Sequence, residues 1–409
     1  MIGALYCNTL VVDYADPKFV QVTQGIAPGE VCMMSSTQLP DISEGLLRKV
    51  IEERRATPGG PGNSAPLIAR AGLGAAIAGM VGEGPWHGAH RLDLTASYFA
   101  QRMIEEGVYL DLHAVPGTKT GMTFIHQAEG GDERAAIAYY PNANHAFHFS
   151  PMRVAVESSN PAVVAYLYIG LSEGGDARDG QDLADFLQYC RKERGAITMA
   201  DIHTLAQGDA AYQSLERIVP QTDLFFVSRD EAKLVLQANG AMQEPGIGDS
   251  CRVCDTYLQM AMDWVRDGSA EDDHGMRMFG ITLSDGAIIA TRHGPASWDL
   301  TKVSSRYLFD GSVNLVGAGD SFRAGMIAYI AAHQDAWRDG TLNTAEAAQT
   351  GALFASLYVN APLANRYAYI PGFKDALHVV RDGATFETLP DLLEGLELAH
   401  ALETDVAQD

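Results

Sequence analysis

Residues 314–325, Asn-Leu-Val-Gly-Ala-Gly-Asp-Ser-Phe-Arg-Ala-Gly, bring two glycines, a carboxylate and a helix start together in one short stretch. Gly317 and Gly319 let the backbone take positive φ and approach a ligand closely. From Ala318 onward Phe322, Met326, Tyr329 and Ile330 recur at helical spacing, so the turn opens a helix. Free N–H groups and the positive end of the helix dipole converge there, a geometry that binds phosphate oxygens. Asp320 stands at that same point, placed to take the proton of a hydroxyl brought to a bound phosphate. The chemistry this implies is phosphoryl transfer to an alcohol. The plainer role for Asp320 and Ser321 is to cap the helix, a contribution of about 0.5–2 kcal/mol.

The elements that must position this turn follow an α/β rhythm. An apolar run over 3–13 predicts a strand buried in a parallel sheet. Weakly alternating residues over 19–36 predict short strands outside that sheet, and 42–55 predicts a helix with Leu46, Val50 and Ile51 on one face. The stretch 57–65, Thr-Pro-Gly-Gly-Pro-Gly-Asn-Ser-Ala, is a glycine-rich turn into a helix reaching about Ala71, with Asn63 or Ser64 as cap and Pro66 in the first turn. A strand over 75–82, a helix over 96–106 and a hairpin of 120–126 with 134–140 follow. From Val163 short apolar strands (163–169, 196–199, 224–227) alternate with amphipathic helices, the beat of right-handed βα units on a parallel sheet. Ligands on such sheets sit beyond the carboxyl ends of the strands, where Asp201 is a substrate or cation candidate. The stretches 243–255 and 268–275 have the composition of solvated loops. Residues 278–283 and 287–291 predict strands, and 344–359 a helix whose small residues leave room for an adenine that Gln349 could face. The tail from Asp391 is expected to fray.

The stretch around Asp320 closely resembles the C-terminal signature of the ribokinase, or PfkB, family of small-molecule kinases, Asp-Thr-x-Gly-Ala-Gly-Asp-x-Phe-x-Ala-Gly. The resemblance implies that Asp320 is the catalytic base and that Gly317, Ala318 and Gly319 form the anion hole for phosphate. The 57–82 stretch resembles the family's N-terminal signature, with Asn63, Ala65, the run Ala69-Arg70-Ala71-Gly72 and a strand ending in Val81-Gly82. It implies that Gly59, Gly60 and Asn63 bind the hydroxyls of the substrate; an asparagine side chain offers both a donor and an acceptor. The family's first strand ends in a substrate-gripping aspartate, a place that either Asn8 or Asp13 fills here. Gly131-Asp-Glu-Arg134 and Asn142-Ala-Asn144 are similar to two further family segments. Glu231 matches the glutamate of the family's Asn-x-x-Glu, which orients metal-bound water, so the resemblance implies Mg2+ at Glu231. Thr282 and Gly286 match residues that line the nucleotide. The sequence departs from the pattern at Asn314-Leu315, in place of Asp-Thr, and at Ser228, in place of asparagine; the first departure carries over no monovalent-cation site.

The resemblance extends from about Gly3 to Pro362. It implies a ribokinase-like three-layer α/β/α sandwich with a mostly parallel central sheet and a small β lid. The kinase domain is expected over 1–380, with lid strands from about 14–40 and 115–142 inserted and a C-terminal extension over 381–409. The implied activity is ATP-dependent phosphorylation of a hydroxyl, a CH2OH first of all, on a sugar or related polyol. A nucleoside acceptor such as adenosine or inosine is the alternative within the class, and a catalytically silent ligand-binding member of the fold is the alternative outside it. A homodimer formed through the lid is a further implication.

Composition sets the outer limits. The 409 residues are 47% hydrophobic and 20% charged, ordinary for a globular protein with a large core. A formal charge of −23 argues against nucleic acid and anionic membrane as partners, since both need basic surface. No apolar stretch approaches the roughly 20 residues needed to span a bilayer, and five cysteines fit a reducing compartment, so a cytoplasmic protein is expected. The sequence holds no GxxxxGK[ST] or HExxH motif.

Overall fold

The computed structural model describes residues 1–10, 21–23, 25–27, 30–84, 91–126, 136–203, 208–241, 250–268, 275–294, 297–309 and 315–398. Fourteen strands are found among them: β1 Ile2–Gly3, β2 Tyr6–Leu10, β3 Val31–Met33, β4 Ala56–Gly59, β5 Ala76–Gly82, β6 Tyr109–Val115, β7 Gly121–His126, β8 Ala136–Tyr140, β9 Val163–Ile169, β10 Ile197–Ile202, β11 Leu224–Ser228, β12 Arg277–Leu283, β13 Gly286–Arg292 and β14 Trp298–Ser304. Nine form one sheet in the order β14-β13-β12-β11-β10-β9-β1-β5-β6. Its pairings are parallel from β6 to β12 and antiparallel only at β13 and β14.

Both faces of this sheet are buried, because its strands place apolar side chains on each side in turn. Leu224 and Phe226 of β11 and Ile77 and Val81 of β5 enter one core. Phe225 and Val227, with Ala78 and Met80, enter the other. The helices Pro61–Arg70, Ala318–Ala332 and Thr344–Asn360 cover the first face; Gln181–Lys192, Arg229–Ala238 and Ser250–Gly268 cover the second. The fold is therefore the mostly parallel, helix-flanked α/β architecture expected. Among the described residues no helix is long and apolar enough to cross a membrane.

A second sheet, β3-β8-β7-β2-β4, is the lid. Alternation again separates its faces. Cys7, Ala138 and Tyr140 turn to a small core with Ile42 and Val50, whereas Tyr6, Ile137 and Tyr139 turn toward Leu167, Tyr168 and Leu171 of the main body.

Several local expectations are corrected. The run 3–13 is not one strand: Asn144 accepts from Leu5 N through Oδ1 and donates to Leu5 O through Nδ2, both at 3.0 Å. This fork satisfies both backbone groups at Leu5, so the chain leaves the main sheet after β1 and enters the lid as β2. The lid also takes β4, read from sequence as part of a turn, while β6 and β14 were not anticipated. The helix after the glycine turn begins at Pro61, so Asn63 and Ser64 lie inside its first turn and Gly60 occupies the cap position. Residues 250–255, expected in a loop, open the helix Ser250–Gly268. The tail does not fray at Asp391: Leu389–Gly395 is a capped helix with Leu392 and Leu393 in the core.

Candidate active site

Asp320 sits in the first turn of the Ala318–Ala332 helix, which is entered through Gly317 at φ +85°. A glycine is required there twice over, since a Cβ would lie 2.8 Å from the ring of Tyr358 as well as in a strained backbone region. Ala318 N–H closes the turn onto Leu315 O at 3.1 Å. The N–H groups of Gly319 and Asp320 are then those that the helix start leaves without an intrahelical acceptor.

The two sequence signatures meet at this carboxylate. Asn63 Nδ2 donates to Asp320 Oδ2 at 2.8 Å across 257 residues of chain, and Ser64 Oγ donates to the backbone O of Asp320 at 3.2 Å. Tyr358 OH donates to Asn63 Oδ1 at 3.3 Å and so fixes which way the amide faces. Tyr367 OH donates to Gly62 O at 2.9 Å. Replacing Tyr358 with Phe leaves Asn63 Oδ1 buried without that donor, and should lower stability by about 0.5–1.5 kcal/mol. Urea denaturation checks this, and an unchanged midpoint would count against an anchoring role for the phenol.

The other oxygen of Asp320 is held from the end of β9, where Tyr168 OH donates to Oδ1 at 2.7 Å. Burial first, and the charge of Asp320 next, push the Tyr168 phenol well above its ordinary range, so it remains a donor. Around it gathers an aromatic group: Tyr168 and Tyr139 each meet the His203 ring edge-on, at 5.3 and 5.1 Å, and Tyr139 meets Tyr6 at 5.2 Å. Tyr139 OH and His203 Nε2 lie 2.9 Å apart in a hydrogen bond. Rings from the lid strands β2 and β8 thus lead through His203 to Tyr168 on β9 of the main sheet, and so to the carboxylate.

On the opposite side, Arg323 is buried one helical turn below Asp320. Its Nη2 forms an ion pair with Asp201 Oδ1 at 2.8 Å and donates to Phe226 O at 3.1 Å, and its Nη1 lies 4.0 Å from Asp320 Oδ1. Burial pushes the Asp201 carboxyl well above the usual carboxylate range; Arg323 pulls it down, and Glu231 and Asp320 push it further up. Burial also opposes the Arg323 charge, but Asp201, Glu231 and Asp320 together outweigh it. Among the described residues Asp201 Oδ2 is buried with no hydrogen-bond partner.

The remaining candidates line the same edge of the fold. Asn8 is on β2, on the Tyr6 side of the lid, and its amide occupies the space where a Cβ on Gly59 would be, 2.3 Å from Oδ1. Gly60 takes φ +62° at the head of the Pro61 helix. Glu231 follows β11 and forms a capping box with Ser228: Oε2 accepts from Ser228 N at 2.6 Å, and Ser228 Oγ accepts from Glu231 N at 3.2 Å. Thr282 Oγ1 donates to Val227 O at 3.2 Å at the end of β12. Gln349 Nε2 donates to Ser304 O at 2.7 Å, and Ser304 pairs with Gly286. Among the described residues no group of three or more His, Cys, Asp or Glu is gathered as a metal site. Asp13, Gly131, Arg134 and Asn314 lie outside the described residues.

Sequence reading missed Tyr168, Tyr358, Arg323 and His203. Arg323 did carry a signal, as a lone basic residue between Phe322 and Ala324 in an otherwise apolar helix face. Tyr168 carried none, being one more large side chain in an apolar strand.

A profile described as "pfkB family carbohydrate kinase" matches residues 33–257, more than half of the chain. The chain belongs to the PfkB family. Among curated proteins none matches the sequence significantly. Solved structures similar to it include adenosine kinase from Anopheles gambiae, at TM-score 0.61 and 15% identity, covering 88% of this chain and 94% of that one. Ribokinase from Giardia lamblia gives 0.60 and 17%, covering 94% and 98%. Fructokinase with bound ATP from Xylella fastidiosa gives 0.59 and 16%, covering 93% and 97%. At these identities the likeness is one of fold. This PfkB-family chain thus has the architecture of the sugar and adenosine kinases.

Proposed function

We propose that this PfkB-family protein transfers the γ-phosphoryl group of ATP to a CH2OH group of a sugar or related polyol. The observation that carries the reading is the convergence on Asp320 of the glycine-turn asparagine and the free amides of a helix start. Asp320 takes the hydroxyl proton as the alcohol oxygen bonds to the γ-phosphorus. The bond from that phosphorus to the β,γ-bridging oxygen breaks, and its electron pair leaves on ADP. The N–H groups of Gly319 and Asp320, with Gly317 shaping the turn, face the charge that develops on the phosphoryl oxygens. Gly59, Gly60, Asn63 and Asn8 line the acceptor side, and Thr282, Gly286 and Gln349 the nucleotide side.

Mg2+ keeps most of its waters and needs one or two protein carboxylates beside phosphate oxygens. Glu231, with the unpartnered Asp201 Oδ2 near it, fits that demand. When bound, the ion neutralises charge on the phosphates.

A nucleoside acceptor is the second reading, favoured by the Tyr6, Tyr139, Tyr168 and His203 group beside Asp320, which offers ring edges to a base as well as to a sugar. A panel of ribose, fructose, adenosine and inosine with MgATP separates the two by ADP release. Turnover with none of them, together with no thermal shift from any, would count against both readings.

A further inference from the structure

Arg323 is more than a structural ion in this fold. A guanidinium carries five N–H donors in a fixed fork, and the large majority of buried side-chain donors are hydrogen-bonded. Here Nη2 is paired with Asp201 and donates to Phe226 O. Among the described residues Nε is buried without a hydrogen-bond partner, and Nη1 has only the 4.0 Å ion pair with Asp320 Oδ1. Arg323 is only 7% exposed, yet Nη1 lies directly against the phosphate-binding turn: a Cβ on Gly319 would come within 2.7 Å of it. The anchoring by Asp201 holds the fork with its unused side toward Gly319 and Asp320.

We infer that Arg323 is a catalytic residue of this chain, donating through Nη1 to an oxygen of the transferred phosphoryl group beside the amides of Gly319 and Asp320. The assignment to the γ position, rather than α or β, follows from its place 4.0 Å from Asp320, the residue that must meet the acceptor hydroxyl at that phosphorus. Asp201 is then a positioning residue, acting through Arg323. The inference rests on the kinase reading above.

The test is nucleotide binding, measured calorimetrically in the presence of Mg2+ with no acceptor. Arg323→Met should weaken the imido analogue of ATP by roughly tenfold to a hundredfold, the loss of one charge-assisted hydrogen bond, while ADP changes by about threefold or less. Arg323→Lys should recover part of the difference. Because Arg323→Met strands Asp201 in the interior, the same pair of measurements is made on Arg323→Met combined with Asp201→Asn, in which neither charge remains. Equal weakening of both nucleotides, or of neither, overturns the inference while leaving the kinase reading standing. Wild-type protein that binds neither nucleotide overturns the reading and the inference with it.

Discussion

Asp320→Asn should abolish nearly all turnover while leaving nucleotide affinity close to that of the wild type. The substitution keeps the volume and one oxygen. Asn63 Nδ2 and Tyr168 OH, the donors to the two carboxylate oxygens at 2.8 and 2.7 Å, can therefore retain at most one of their two partners. An amide cannot accept the hydroxyl proton, so the general-base contribution is lost, a factor of about 10² to 10⁴. Binding of nucleotide relies on backbone N–H groups and the helix dipole, which the side-chain change leaves in place. ADP release with the best acceptor of the panel, set beside calorimetry with the imido analogue, separates the two effects. Turnover within about threefold of wild type would remove Asp320 from the role of base. A parallel collapse of nucleotide affinity would instead mean that the turn had been disturbed.

The legible parts of this protein are those where a local rule and the tertiary environment agree. The strands 163–169 and 224–227 were readable because a parallel sheet covered on both faces demands unbroken apolar runs. Gly317 was readable because its positive φ and a crowded Cβ admit little else. The first strand was misread for the converse reason: residues 3–10 are apolar apart from Asn8 and Thr9, and the break between β1 and β2 is imposed by Asn144, more than a hundred residues away. Within the site, Asn63 and Asp320 could be named from their motifs, but their meeting through one hydrogen bond could not. The Tyr358 that orients Asn63 comes from a third segment, and Tyr168 from a fourth, with no pattern of their own. Such residues are selected by a three-dimensional neighbour and leave little trace in spacing.

Arg323→Met should be among the most destabilising single changes in the chain, costing about 3–5 kcal/mol near neutral pH, because it leaves one member of a buried ion pair without its partner. Asp201 is fully buried at the carboxyl end of β10, and its neighbours make matters worse, since Glu231 and Asp320 add negative charge from the β11 and helix sides and the Tyr168 and Tyr257 phenols offer no cation. The sign of the pH dependence follows from the direction of the Asp201 shift. Its carboxyl is pushed up in the folded protein, so the folded state binds the proton more tightly than the unfolded chain, whose aspartates titrate near 3.9. That contribution is fully present below the unfolded value and is lost as pH rises through the folded one. Arg323 offsets the loss in the wild type; in the variant nothing does. The deficit should therefore be larger at pH 8 than at pH 5, as measured by urea denaturation of both proteins at each pH. Adding Asp201→Asn to Arg323→Met should recover a large part of it, because a neutral amide replaces the stranded carboxylate. A deficit below about 1 kcal/mol at both pH values, or one that grows as pH falls, would show that solvent reaches Asp201 and that the pair is not the anchor of the phosphate turn.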